Sequence, residues 1–233
     1  DMANVISKTG ISESNIKIIP NWSPAGLAIP SKIQIDELRS RWNLGDKFVV
    51  LYSGNLGRVH DLEPILDTAT SLRDQPRIIF VFVGHGAQLA SLQEIVSSRG
   101  LANVKFFPPQ PREQLSVTLA LGDLHFVTLQ ERVKGYVFPS KLYGITAAHR
   151  PLIYIGPQSS ELAELVGKNN LGLSFSRDQI PEIGNAIESL QRNSAAMESY
   201  SQAAHAFADQ SNVALAIKTW ETLLLSEPSL AAN

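Results

Sequence analysis

The 233 residues carry 20 Lys and Arg against 22 Asp and Glu, a formal net charge of -2, and contain no Cys. A chain without cysteine excludes a disulfide scaffold, a thiolate metal site and a Cys nucleophile, and near-neutral charge with 18% charged residues argues against a general polyanion binder. At 44% hydrophobic the chain can bury a proper core and its length allows one or two domains, whereas no apolar run approaches the ~20 residues of a membrane span and no leader pattern opens it.

The first residues read like the end of something. A short helix-like stretch closes at Gly10, residues 15–19 suggest a short strand, and Pro20 to Pro24 break it. The chain is therefore expected to be a piece of a longer protein. From Lys47 onward, apolar runs alternate with helix-period segments. Residues 48–52 form a β-branched run, and Asp61 is placed to cap a helix with Leu62, Ile65, Leu66, Ala69 and Leu72 on one face. Residues 78–83 are the most apolar run, and the helix after them, with Leu89, Leu92, Ile95 and Val96 inward, stops at Gly100. Strand 104–107 precedes helix 112–121, strand 124–129 precedes a helix opening at Pro139 and Ser140, and strand 151–155 precedes a helix capped by Ser159 or Ser160. Strand 171–175, helix 181–192 and a helical tail follow, the tail with Tyr200, Ala204, Phe207, Val213, Ile217, Trp220 and Leu224 as an expected buried stripe. Strands apolar on both faces, separated by helices, imply a parallel sheet covered on both sides, so the fold class is α/β, a Rossmann-like doubly wound parallel sheet with C-terminal helices.

In such a sheet, ligands bind beyond the carboxyl ends of the strands. Four loops lie there. Residues 53–60 place Gly54 and Gly57 between a strand and a helix, which permits close backbone approach to a ligand and fits an ordinary tight turn equally well. Arg58 adds a fork suited to phosphate. Gly84, His85 and Gly86 form a second loop, with His85 able to donate to a sugar or phosphate. Lys141, after Pro139 and Ser140, sits in a first helical turn where a cation is disfavoured unless an anion lies near it. Phe107, Pro108, Pro109 and Gln110 make a rigid loop whose backbone suits a flat base edge or a plain turn. The sequence matches neither Walker A nor the dinucleotide glycine pattern. No Gly-x-Ser-x-Gly elbow occurs, the five histidines show no ligand spacing with carboxylates, and no basic stripe suggests nucleic acid.

Taken in order, these segments resemble the donor-binding C-terminal domain of GT-B fold glycosyltransferases of the retaining family 4 type, the glycosyl transferases group 1. The resemblance rests on residues 18–22 (IIPNW), 52–57 (YSGNLG), 83–86 (VGHG), 103–107 (NVKFF) and 139–151 (PSKLYGITAAHRP). It implies a nucleotide-diphosphate sugar as substrate, no cofactor and no metal. It also implies a diphosphate site at Gly54, Asn55, Gly57, Arg58, Ser140 and Lys141, and sugar and nucleoside contacts at His85, Gly86, Phe107, Pro108, Gln110, Pro139, Tyr143 and Gly144. It divides the chain into an interdomain segment with a remnant of the N-terminal domain (1–46), a Rossmann-like donor domain (47–193) and C-terminal crossing helices (194–233). The acceptor, a glycan or lipid-linked sugar, would be read by an N-terminal half absent from this chain, so the fragment is expected to be inactive alone. The full-length protein is expected in the cytoplasm, associated peripherally with the inner face of the membrane.

The sequence departs from the family pattern at several positions. Tyr136 and Gly144 occupy the places of a Glu-x7-Glu pair, so the catalytic residue is unknown; His149 replaces a glycine; and the usual Arg and Lys of the first loop fall at Asn55 and His60. The missing carboxylates leave a non-catalytic nucleotide-sugar-binding module as the main alternative, with a nucleotide-sugar epimerase of the same fold as a third.

Overall fold

The computed structural model describes residues 1–24 and 26–226, without the side chain of Ser226. Two helices precede the sheet, α1 (Met2–Ser7) and α2 (Lys32–Arg41). The main body then alternates β1 (Phe48–Ser53), α3 (Glu63–Ser71), β2 (Ile78–Val83), α4 (Leu89–Arg99), β3 (Val104–Phe107) and α5 (Leu115–Leu121). It continues through β4 (Leu124–Thr128), α6 (Lys141–Ala147), β5 (Leu152–Ile155), α7 (Glu161–Lys168), β6 (Gly172–Phe175) and α8 (Ile180–Arg192). The long α9 (Ser194–Gln210) and α10 (Val213–Ser226) close the chain.

All six strands run parallel in the order β3-β2-β1-β4-β5-β6. Side-chain alternation sorts each strand between two cores. Val50, Tyr52, Phe80, Phe82, Phe126 and Ile153 face α3, α4 and α8, whose Leu62, Ile65, Leu92, Ile183 and Ile187 meet them. The other face is divided. Val49, Leu51, Ile79 and Val81 pack on α2 and α5, and Val127, Leu152 and Tyr154 on α6, α7 and α9. Local chemistry sets the helix ends: Ser31 and Gln34 form a capping box on α2, Ser160 Oγ accepts from Ala163 N–H on α7, and Gly100 ends α4 with φ 63.

Three expectations are corrected. Residues 15–19 form no strand, because no described segment offers them a hydrogen-bonded neighbour. Asp61 does not cap α3, whose N-cap is Leu62; its carboxylate instead pairs with Arg177 Nε at 3.0 Å. In the tail, Ala204, Phe207 and Ala216 are buried, but Ile217 and Trp220 are each 51% exposed and Leu224 70%. The α10 stripe is therefore largely exposed among the described residues. Residues 227–233 of the expected tail lie outside the described residues. The segment before the sheet meets the one between α9 and α10, where Ser23 N–H donates to the Ser211 carbonyl at 2.7 Å.

Candidate functional site

The strand order puts the reversal of crossover direction between β1 and β4, where an open parallel sheet leaves a crevice at its carboxyl end. A cavity of about 390 Å3 opens there. Ser53, Gly54, Asn55 and His60 of the β1–α3 loop form one wall, and Pro139, Ser140, Lys141 and Gly144 at the start of α6 form the other. Leu115 and Leu119 of α5 close it, with Pro24, Val137 and Phe138. Hollows of about 450 and 490 Å3 lie against His149 and Arg177, but neither contains a buried cation without a partner.

The first two glycine loops are bound to each other. Gly54 N–H donates to Val83 O at 2.9 Å, Leu56 N–H to His85 O at 2.8 Å and Gly84 N–H to Phe107 O at 3.0 Å. Gly84, at φ 148, lies so close that a Cβ would overlap the Gly54 carbonyl oxygen, and a Cβ on Gly86, at φ 151, would stand 2.6 Å from Leu56 backbone. Glycine at 84 and 86 thus serves the contact between loops. Gln88 Nε2 fastens the assembly by donating to Gly57 O at 2.6 Å and His60 O at 3.0 Å. The N–H groups of Asn55 and Gly57 have no partner among the described residues, so two backbone donors remain for an anion.

Lys141 dominates the electrostatics. Its Nζ is shielded from solvent, makes no hydrogen bond and lies 3.6 Å from the centroid of the Tyr52 ring. Burial pushes its pKa down to about 7. Among the described residues, no Asp or Glu lines the cavity. His60 is buried beside it, with Nδ1 2.9 Å from the Thr128 carbonyl, so the proton sits on Nδ1 and Nε2 is left as an acceptor. Burial first, then the Lys141 charge, lowers the His60 pKa against the opposing effect of that hydrogen bond. A cavity with a buried, unpaired ammonium, the free Asn55 amide and, among the described residues, no carboxylate in its lining suits an anion.

The structure brings together Gly54, Asn55, Pro139, Ser140, Lys141 and Gly144 of the expected site. Others stand apart. Gly57 contributes through the loop backbone, whereas Arg58 is exposed, does not line the cavity, and accepts from Arg132 Nη2 through its carbonyl at 3.4 Å. His85 is exposed and takes part through its own carbonyl. Phe107 stacks on Trp42 at 3.9 Å between centroids, and Gln110 Nε2 turns back to Pro108 O at 2.8 Å, so this loop sits beyond the cavity lining at the end of β3. Tyr143 is separated from the set: its ring is 6% exposed in the core, between Phe138 and Phe207. Alternation around a short helix accounts for this, since Lys141 and Gly144 share the cavity face and Tyr143 does not. Nothing in the motif spacing singled out Tyr52, Leu115, Leu119 or Phe138; His60 was marked only by its place where the family has a cation.

A family model described as glycosyl transferases group 1 matches residues 34–207. The WcaI protein of Escherichia coli (strain K12), provisionally named for glycosyl transfer in colanic acid biosynthesis, is 36% identical over 166 residues, 70% of this chain and 40% of its own length. The WbjE protein of Pseudomonas aeruginosa, named as a glycosyltransferase, is 29% identical over 126 residues, 54% of this chain and 31% of its own. The chain thus spans about two-fifths or less of the length of these relatives. Among solved structures, Anabaena Alr3699/HepE in complex with UDP-glucose shares the fold with a TM-score of 0.82 at 19% identity, over 96% of this chain and 61% of that one. No helix among the described residues is long and apolar enough to cross a membrane.

Proposed function

Because the chain belongs to the glycosyl transferases group 1 family, we propose that it is the donor-binding half of an enzyme that transfers a sugar, with retention, from a nucleotide-diphosphate donor to a polysaccharide or lipid-linked acceptor. The observation that carries this reading is the buried, unpaired Lys141 ammonium in a cavity at the β1–β4 crossover point. Negative charge grows on the diphosphate as the glycosidic bond breaks. The Lys141 ammonium and the Asn55 amide would stabilise it. With no carboxylate among the described residues of the lining to hold a divalent cation, these groups would act without a metal. The UDP-glucose bound to the Anabaena neighbour and the colanic acid biosynthesis in the name of WcaI support the substrate classes. The acceptor would be read by the portion of the longer protein that this chain does not span, at the cytoplasmic face of the membrane. The chain alone would then bind donor without transferring it.

Thermal melts of the chain with UDP, GDP, ADP and dTDP test this. A ligand at 100 times its Kd adds about 2.7 kcal/mol, so one nucleotide should raise Tm by several degrees. A folded chain that responds to none of the four overturns the reading.

A second reading is favoured by one observation. The Glu-x7-Glu positions carry Tyr136, which is 68% exposed, and Gly144, which adds no functional group to the cavity. A non-catalytic nucleotide-sugar-binding module would need neither carboxylate. Assay of the longer protein separates the two, because such a module binds nucleotide yet neither transfers nor hydrolyses the sugar.

A further inference from the structure

A buried ammonium is ordinarily held by a carboxylate, and Lys141 has none among the described residues. What it touches is Tyr52. The Lys141 Nζ stands 3.6 Å from the ring centroid, and Tyr52 itself is 1% exposed. Its hydroxyl donates to the Asn55 carbonyl at 3.0 Å, in the loop that lines the opposite wall of the cavity. The same ring meets the His60 imidazole edge-on, with centroids 6.0 Å apart and planes at 73°. One side chain therefore contacts the cation, the loop and the second basic group. Phe82, 5.9 Å away on β2, backs it.

We infer that Tyr52 is a positioning residue of this cavity, its π face holding the Lys141 ammonium in place without neutralising it while its hydroxyl fixes the Asn55 loop. This rests on reading the cavity as a diphosphate site. The chemistry explains the choice of residue. A carboxylate at this place would attract the ammonium but would cancel its charge and repel an incoming diphosphate. An aromatic face attracts a cation through its quadrupole and leaves the full positive charge available. The Lys141 charge in turn lowers the pKa of His60 on the β1–α3 loop and of His125 on β4, and among the described residues no carboxylate lines the cavity to compete with the ring.

The test begins without nucleotide. Ring current from Tyr52 should shift the Lys141 CεH2 protons upfield in NMR spectra of lysine-labelled protein, the signal being assigned by its loss in Lys141→Met. A shifted signal in the wild type that persists in Tyr52→Phe supports the pairing; a signal at the ordinary lysine position overturns it. Affinity for UDP, or for whichever of UDP, GDP, ADP and dTDP binds tightest, is then measured by calorimetry. Tyr52→Leu should weaken binding at least tenfold and Tyr52→Phe about threefold, and in a Lys141→Met background Tyr52→Leu should add only the hydroxyl's share of about threefold. An equal loss in both backgrounds overturns the inference, since Tyr52 would then act on the fold and not through Lys141. If Tyr52→Leu does not fold, the ring-current shift and the Phe variant decide. A shifted lysine signal in a protein that binds no nucleotide would refute the diphosphate reading while leaving the Tyr52–Lys141 pairing in place.

Discussion

The backbone of Gly84 stands against the carbonyl oxygen of Gly54 so closely that no side chain fits between them. These two glycines end neighbouring strands, and their contact brings the first two loops together at the sheet's carboxyl edge. Gly84→Ala forces a Cβ into that carbonyl at a φ of 148 that L-residues rarely adopt. The expected cost is about 2 kcal/mol or more, read as a lower midpoint in denaturant. A midpoint equal to wild type would show that the loops separate freely.

Lys141→Met should separate stability from function. Removing a buried cation that has no partner relieves a desolvation cost, so Tm should hold or rise. Nucleotide affinity should fall at least tenfold, about 1.4 kcal/mol. Loss of both together would mean that Lys141 is structural.

The lowered Lys141 pKa gives two slopes of known sign. In the free protein the folded value is about 7, against 10.5 for an ordinary lysine. Between these values the unfolded chain holds more protons, so stability should rise with pH through this window. An anion in the cavity favours the charged ammonium, so binding takes up a proton above pH 7. Nucleotide affinity should fall as pH rises beyond 7, and the binding heat should vary with buffer ionisation enthalpy. In Lys141→Met, affinity should lose that pH dependence. A flat wild-type profile from pH 6.5 to 9 would contradict the assignment.

His149 stacks on His205 at 4.0 Å between ring centroids, joining the end of α6 to α9. Burial first, then the His205 charge, lowers the His149 pKa, with Arg150 adding to the effect and Asp209 opposing it. A base held below its ordinary value stabilises the fold above that value and loses the contribution as pH falls beneath it. Acid should therefore loosen α9 from α6, measured as faster amide exchange in α9 below about pH 6. His205→Ala should flatten that dependence.

Two tryptophans should behave oppositely. Trp42 is 8% exposed and stacked on Phe107, so Trp42→Ala should cost about 3 kcal/mol. Trp220 is half exposed on α10, and Trp220→Ala should change stability by less than about 0.5 kcal/mol in this chain. Chemical denaturation of both variants decides.

The sheet was readable because each strand is a continuous apolar run and each helix a periodic one, patterns that burial on two faces requires. Residues 15–19 have the composition of a strand, but a strand exists only with a partner, which local pattern does not supply. The α10 stripe is a similar case. Period identifies a helix face but not what covers it. At the cavity, glycine spacing pointed to the β1–α3 loop that forms part of its lining, and the helix opening at Ser140 placed Lys141. The outward turn of Arg58 and the inward position of Tyr52 depend on how β1, β2 and β4 sit side by side, a tertiary arrangement that neither residue's neighbours in sequence encode.

The hydrogen bond from Ser23 to Ser211 joins two segments 188 positions apart, and Pro24, the next residue, lines the cavity. A ligand that presses on Pro24 acts on that bond. By thermodynamic reciprocity, pulling the two segments apart must change ligand affinity by the same factor by which the ligand changes the ease of separating them. Through Pro24, a ligand that displaces this residue would tie the cavity to the chain crossing beside it, and tension on one would then be read as affinity at the other.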